Sequence, residues 1–89
     1  MNKTEFVQRI ADINYITPKQ ASSLLDSILE LTMDTVAAGE KLVIPGFGSF
    51  EKKHRAGRTG RNPATGEKIM ISAADFPAFK PGKTFKDKM

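Results

Sequence analysis

The chain has 89 residues, of which 39% are hydrophobic and 27% charged, with a formal net charge of +4, and this length allows one domain with a small core. It has no cysteine, and His54 is its only histidine, so disulfides, thiolate nucleophiles and histidine clusters for a metal are excluded. Its N-terminus has no apolar stretch long enough for a signal peptide or a membrane span, and we therefore expect an intracellular protein without a membrane partner.

The charge is divided unevenly along the chain. Residues 1–45 contain four Lys or Arg and six Asp or Glu, whereas residues 46–89 contain ten and four. The first half is thus mildly acidic and the second half strongly basic. A charge separation of this kind indicates a nucleic-acid partner more than general solubility.

The first predicted element is a helix that starts at a capping signal. Asn2, followed three residues later by Glu5, is suited to cap it, and Phe6, Ile10 and Ile13 recur at helical spacing. The pattern is interrupted at Asn14-Tyr15.

A second helix is predicted from Thr17-Pro18-Lys19-Gln20 to about Ala38. Thr17 and Gln20 have the spacing of a capping box, Pro18 suits the first helical position, and Gly39 suits the C-terminal end. Its apolar residues cover a wider arc than one neighbouring helix requires. Either the helix is sandwiched inside its own domain, or it also packs on a second subunit, which we favour because the chain is short.

The periodicity changes to that of strands after Gly39. Residues 41–44 and 49–55 are predicted strands, separated by Pro45 and the turn Gly46-Phe47-Gly48, and residues 67–73 are predicted as the return strand. We expect 56–66 to be a flexible hairpin arm that becomes ordered only against its partner, because it has no apolar surface to bury. The tail is predicted to be irregular over 76–81, and then helical from about Gly82.

The most informative segment is the basic run that begins at Lys52. Residues 52–66 contain no acidic residue and carry six basic ones: Lys52, Lys53, His54, Arg55, Arg58 and Arg61. Guanidinium groups pair bidentately with phosphate oxygens, so such an arm suits a nucleic-acid backbone. The alternative is a solvated mobile loop without a partner. His54 is interpreted as a simple surface residue.

The apolar residues near this run each have two interpretations. Pro63 is either an ordinary turn residue after Asn62 or a rigid wedge that enters between base pairs from the minor groove. Phe47 and Phe50 could stack on single-stranded bases, but aromatic residues at strand spacing beside glycine are more often core. We assign them to the core together with Phe79 and Phe85.

These motifs resemble the HU family of bacterial histone-like DNA-bending proteins, which includes integration host factor. The resemblance covers essentially the whole chain and rests on three segments: Gly46-Phe47-Gly48-Ser49-Phe50, then Arg58-Thr59-Gly60-Arg61-Asn62-Pro63-Ala64-Thr65-Gly66, then Pro77-Ala78-Phe79-Lys80-Pro81-Gly82-Lys83. The arm motif is the most specific of the three.

The resemblance implies an α+β fold in an intertwined homodimer. Residues 1–39 would form the helical dimerisation region, 40–75 a three-stranded antiparallel sheet extended into a β-ribbon arm at about 53–70, and 76–89 a C-terminal segment with a short helix. Pro63 would be the intercalating tip. The implied DNA-binding residues are Lys3, Lys53, Arg55, Arg58, Arg61, Asn62, Pro63, Lys80, Lys83 and Lys86.

The function implied is that of a nucleoid-associated architectural protein of the bacterial cytoplasm. It would bind double-stranded DNA with little sequence preference, bend it and help condense the chromosome, without catalysis, cofactor, metal or small-molecule substrate. The alternatives are a site-specific bender of the integration host factor type, a helix-turn-helix regulator using residues 2–38, and an RNA-binding module. The net acidic charge of those helices argues against the regulator.

Overall fold

The computed structural model describes residues 1–89, and the chain divides into two compact units, Met1–Asp34 and Thr35–Met89. The α+β class expected from the sequence is confirmed. In chain order the elements are α1 (Lys3–Asn14), α2 (Pro18–Ala37), β1 (Leu42–Ile44), β2 (Gly48–Arg55), β3 (Arg58–Arg61), β4 (Lys68–Ile71), β5 (Ala74–Pro81) and α3 (Lys83–Asp87).

Both long helices begin at the predicted caps. The Asn2 side chain accepts a hydrogen bond from the Glu5 backbone N–H at 2.9 Å. At α2 the capping box is reciprocal: the Gln20 N–H donates to Thr17 Oγ1 at 3.1 Å, and the Thr17 N–H donates to Gln20 Oε1 at 3.0 Å. α1 ends where Tyr15 takes a left-handed conformation, with φ 56°. Local hydrogen bonds therefore define these boundaries.

The core of the helical unit is small. It contains Val7 and Ala11 of α1 and Ala21 and Leu25 of α2, with Ile10 and Ile16 packed against it. Outside this core, α2 exposes most of its apolar surface: Ile28 is 59% exposed, Leu31 69% and Met33 64%. The wide apolar arc predicted for α2 is therefore not covered within this chain.

Strands β1, β2 and β5 form one antiparallel sheet in the order β1-β2-β5. β2 and β5 pair along their whole length, from Gly48 opposite Pro81 to Arg55 opposite Ala74. The expectation of an irregular tail over 76–81 is therefore wrong. Its prolines do not prevent strand formation, because β5 lies at the sheet edge, where a missing backbone N–H costs no ladder hydrogen bond.

Strands β3 and β4 form a separate two-stranded antiparallel ribbon, from Arg58 opposite Ile71 to Arg61 opposite Lys68. The expectation that 56–66 is ordered only against a partner is wrong for 58–61, because backbone pairing to β4 forms a strand within this chain, without a hydrophobic contribution from β3. The return strand is also shorter than the predicted 67–73. It pairs with β3, whereas β2 pairs with β5.

Four phenylalanines pack against one another in the second unit, but Phe47 is 43% and Phe79 41% exposed, so the core predicted for them is only partly covered within this chain. Phe47 lies in the turn before β2, Phe50 on β2, Phe79 on β5 and Phe85 on α3. The ring centroids of Phe50 and Phe79 are 4.8 Å apart, those of Phe47 and Phe79 5.4 Å, and those of Phe47 and Phe85 5.6 Å. A Cβ at Gly48 would lie 2.6 Å from both the Lys80 carbonyl oxygen and the Phe79 ring, so only glycine fits there.

Candidate nucleic-acid interface

The arginines of the basic run are exposed along the arm. Arg55 ends β2, and Arg58 and Arg61 are the first and last residues of β3. Side chains alternate between the two faces of a strand, so a spacing of three places Arg58 and Arg61 on opposite faces of the ribbon. None of the three arginines has a carboxylate within 4.0 Å. They are therefore available to an external anion.

The outer end of the ribbon has a pair of cations that the sequence did not single out. Lys68 lies directly opposite Arg61 in the β3–β4 register, and both side chains are exposed. Like charges directly opposite one another destabilise a strand pair, and an anion bound between them relieves the repulsion. Lys68 was missed because its partner strand could not be assigned from the sequence.

The loop beyond this pair holds Pro63 outward. The Asn62 N–H donates to the Glu67 carbonyl at 2.8 Å, the Gly66 N–H donates to the Asn62 carbonyl at 2.7 Å, and Asn62 Oδ1 accepts from the Ala64 N–H at 2.9 Å. Pro63 itself is exposed. The Asn62 side-chain oxygen thus stabilises the loop, and the proline ring lies at the tip of the arm.

The predicted lysines outside the arm lie in two places. Lys80 is exposed on β5, and α3 carries Lys83 and Lys86 one turn apart on the same face, as predicted. None of these three has an acidic partner. In the helical unit, Lys3 Nζ donates to Asp26 Oδ1 at 2.7 Å, so Lys3 must leave this partner to contact a phosphate.

The root of the arm contains the ion pairs of the second unit. Asp75 on β5 lies 2.7 Å from His54 Nδ1 through Oδ1, and 3.5 Å from Lys52 Nζ through Oδ2. The hydrogen bond from His54, together with the nearby Lys52 charge, lowers the pKa of Asp75. Lys53 lies 3.7 Å from Glu51. His54 is exposed, as expected, but it is not a simple surface residue, because it has a specific partner.

The arrangement is suited to binding an extended polyanion. Exposed cations follow a ribbon and continue onto α3.

No three His, Cys, Asp or Glu side chains are grouped so that they could hold a metal ion. No helix has the length and apolar character required to cross a bilayer.

Comparison with known proteins agrees with this geometry. The family model described as bacterial DNA-binding protein matches residues 1–89. DNA-binding protein HU 1 of Bacillus subtilis is 45% identical over 87 residues, covering 98% of this chain and 95% of that protein. DNA-binding protein HU of Staphylococcus aureus (strain COL) is 46% identical over 87 residues, covering 98% and 97%.

Solved structures show the same fold. The Anabaena HU–DNA cocrystal structure matches with a TM-score of 0.91 and 45% identity, covering 99% of this chain and 96% of that chain. HU from Thermotoga maritima matches with a TM-score of 0.69 and 35% identity, covering 99% and 97%. The matched relatives are named HU, which favours HU over the integration host factor type. The chain belongs to the HU family of bacterial DNA-binding proteins.

Proposed function

We propose that this protein is a homodimeric architectural protein that binds double-stranded DNA with little sequence preference and bends it. It acts on chromosomal DNA in the nucleoid of the bacterial cytoplasm and has no catalytic role. The observation that carries this proposal is a two-stranded ribbon with exposed arginines that lack acidic partners and with an exposed proline at its tip. The similar Anabaena HU was crystallised with DNA, which supports the choice of polyanion.

Low sequence preference follows from the type of side chain on the arm. Arg55, Arg58 and Arg61 present guanidinium groups at intervals along the ribbon, which suit successive phosphates. Phosphate contacts position a protein on the duplex without reading its sequence. The body lysines Lys80, Lys83 and Lys86 extend the contact to flanking phosphates, while Lys3 and Lys53 contribute after leaving Asp26 and Glu51.

Bending is assigned to Pro63. Its ring is apolar and rigid, and the hydrogen-bonded loop around Asn62 fixes its outward position. An apolar wedge inserted from the minor groove unstacks one base step at a cost of a few kcal/mol, which contacts along the bent duplex offset. Arg61 and Asn62 adjoin the wedge and would enter the groove with it.

The exposed apolar surface of the helical unit supports a dimer. An open apolar groove between α1 and α2 is lined by Ile10, Ile16, Leu24 and Ile28. Leu24 is 56% exposed in the single chain. An exposed apolar surface of this kind on a short chain is typical of a subunit interface. A dimer supplies two arms, one for each side of a bend.

The test separates binding from bending. We expect Pro63→Ala to retain much of the affinity for a duplex, because it removes no charge, but to lose the acceleration of ligase-mediated cyclisation of short DNA fragments. Ala64→Ser, which changes the neighbouring residue and keeps the proline, is the control and should behave as the parent. Unchanged cyclisation by Pro63→Ala would reject the wedge. A competitor duplex of unrelated sequence tests specificity, since a site-specific bender would prefer its site by roughly 10³-fold or more.

A further inference from the structure

Two separate sets of backbone pairing hold the arm, formed by β3 and β4, and the body sheet, which contains β2 and β5. The β2–β5 pairing ends at Arg55 opposite Ala74, and the β3–β4 pairing begins at Arg58 opposite Ile71. Between them, residues 56–57 and 72–73 belong to no strand. Continuous backbone pairing therefore does not fix the direction in which the arm leaves the sheet, and side-chain contacts at its root gain importance.

Three side chains form such contacts just below the break, and we call Lys52, His54 and Asp75 the arm-root cluster. The two carboxylate oxygens of Asp75 have different partners: Oδ1 lies 2.7 Å from His54 Nδ1, and Oδ2 lies 3.5 Å from Lys52 Nζ. Lys52 Nζ also donates to the Ala37 carbonyl at 3.2 Å. Ala37 ends α2, where carbonyls have no intrahelical partner and attract a cation.

The cluster thus connects three elements through one carboxylate. His54 and Lys52 lie on the same face of β2, two residues apart, and Asp75 lies opposite His54 on β5. Through Lys52 the group reaches the end of α2. Removing the carboxylate would take away the shared partner of Lys52 and His54 while leaving every backbone hydrogen bond of the sheet in place.

We propose that Asp75 is a positioning residue for DNA bending, holding Lys52 and His54 so that the arm leaves the body in a fixed direction. This inference rests on the proposed function, which it deepens. Asp75 itself contacts no DNA in the proposal, because it is an anion and acts only through its two basic neighbours.

The pKa of Asp75 is lowered in the folded chain, mainly by the hydrogen bond from His54. Its carboxylate is therefore charged at neutral pH, and its contacts are lost only as the pH falls through that lowered pKa.

Net charge alone predicts that a mutation of Asp75 to a neutral residue strengthens DNA binding, whereas loss of the positioning contacts should not strengthen it. Removing an acidic residue from a DNA-binding protein should strengthen binding through the more positive field. Glu67→Gln provides this control: Glu67 lies in the tip loop, where its backbone, not its side chain, makes the loop hydrogen bonds. Asp75→Asn makes the same change of charge at the arm root.

The experiment measures affinity and bend angle at neutral pH, using a duplex labelled at both ends for resonance energy transfer. Relative to the full-length parent, Asp75→Asn should give a smaller, broader transfer signal and no gain in affinity. Glu67→Gln should bind more tightly and keep the parental transfer signal.

The outcomes distinguish this inference from the proposed function. If Asp75→Asn resembles Glu67→Gln, with tighter binding and the parental bend, then Asp75 does not position the arm. If the parent protein itself fails to bind or bend the duplex, the proposed function fails instead.

Discussion

Replacing Arg61 by alanine tests the electrostatic basis of DNA binding. Arg61 is the outermost paired residue of β3, is exposed and has no acidic partner, so we count it as one phosphate contact per subunit. A dimer that loses two contacts should show a slope of log affinity against log salt concentration that is flatter by about 1.8. Between 50 and 200 mM salt, this change corresponds to about a ten-fold smaller loss of affinity.

The parent protein provides the reference for that measurement. With about six to ten phosphate contacts per dimer, its affinity should fall on the order of 10³–10⁵-fold over the same salt range. Fluorescence anisotropy of a labelled duplex at four salt concentrations gives both slopes. Arg9→Ala is a matched control, because it removes the same charge from an exposed position on α1, outside the proposed interface.

Two results would refute the reasoning. If Arg61→Ala has the parental salt slope, the arm does not neutralise phosphates at this position. If Arg9→Ala flattens the slope as much as Arg61→Ala does, only the net charge of the protein matters. The weakening by Arg61→Ala should also be the same for duplexes of unrelated sequence, since a phosphate contact reads no bases.

Three further changes test the fold and the role of Lys3. Thr17→Ala removes one side of the α2 capping box and should lower the free energy of unfolding by about 1 kcal/mol in a denaturant titration, whereas an unchanged midpoint would contradict the cap. Gly48→Ala places a Cβ against the β5 backbone and should destabilise the fold by about 1–3 kcal/mol; parental thermal stability would show that the strand can move aside. Asp26→Asn releases Lys3 from its 2.7 Å partner and should tighten DNA binding by about two- to five-fold in the anisotropy assay, while the double change with Lys3→Ala should remove the gain.

The helices were predictable because their signals are local. The side chains that fix the start of α2, Thr17 and Gln20, are three residues apart, and Gly39 has the positive φ of 89° expected just beyond the helix end. The short C-terminal helix likewise begins at Lys83 with Gly82 as its N-cap, close to the predicted start at about Gly82. Such contacts are complete within one turn and do not depend on distant parts of the chain.

The sheet was predicted less well because strand pairing is not local. Pro77 and Pro81 indicated an irregular tail, and nothing in the sequence shows that β5 lies at a sheet edge, where prolines are tolerated. Residue periodicity alone did not predict the strand over 58–61, because this segment has no apolar alternation and its order comes from pairing with β4. The family resemblance did imply a β-ribbon there.

The same limit applies to the site. The cations of the arm were visible as a run in the sequence, and the fold places Arg58 and Arg61 on one ribbon and Pro63 at its tip. Asp75 and Lys68 could not be found in this way, because their importance depends on the residues opposite them, His54 and Arg61. Their roles in DNA binding stay predictions until the variants are measured.

The break between the two ladders makes the reach of the arm independent of the rest of the fold. Because β3 and β4 pair only with each other, lengthening both strands by equal numbers of residues leaves the register of the body sheet unchanged. Each added rung extends the arm by about 3.4 Å, and additions in twos keep every existing side chain on its own face. The span of duplex enclosed by a pair of arms can thus be redesigned by inserting short matched segments.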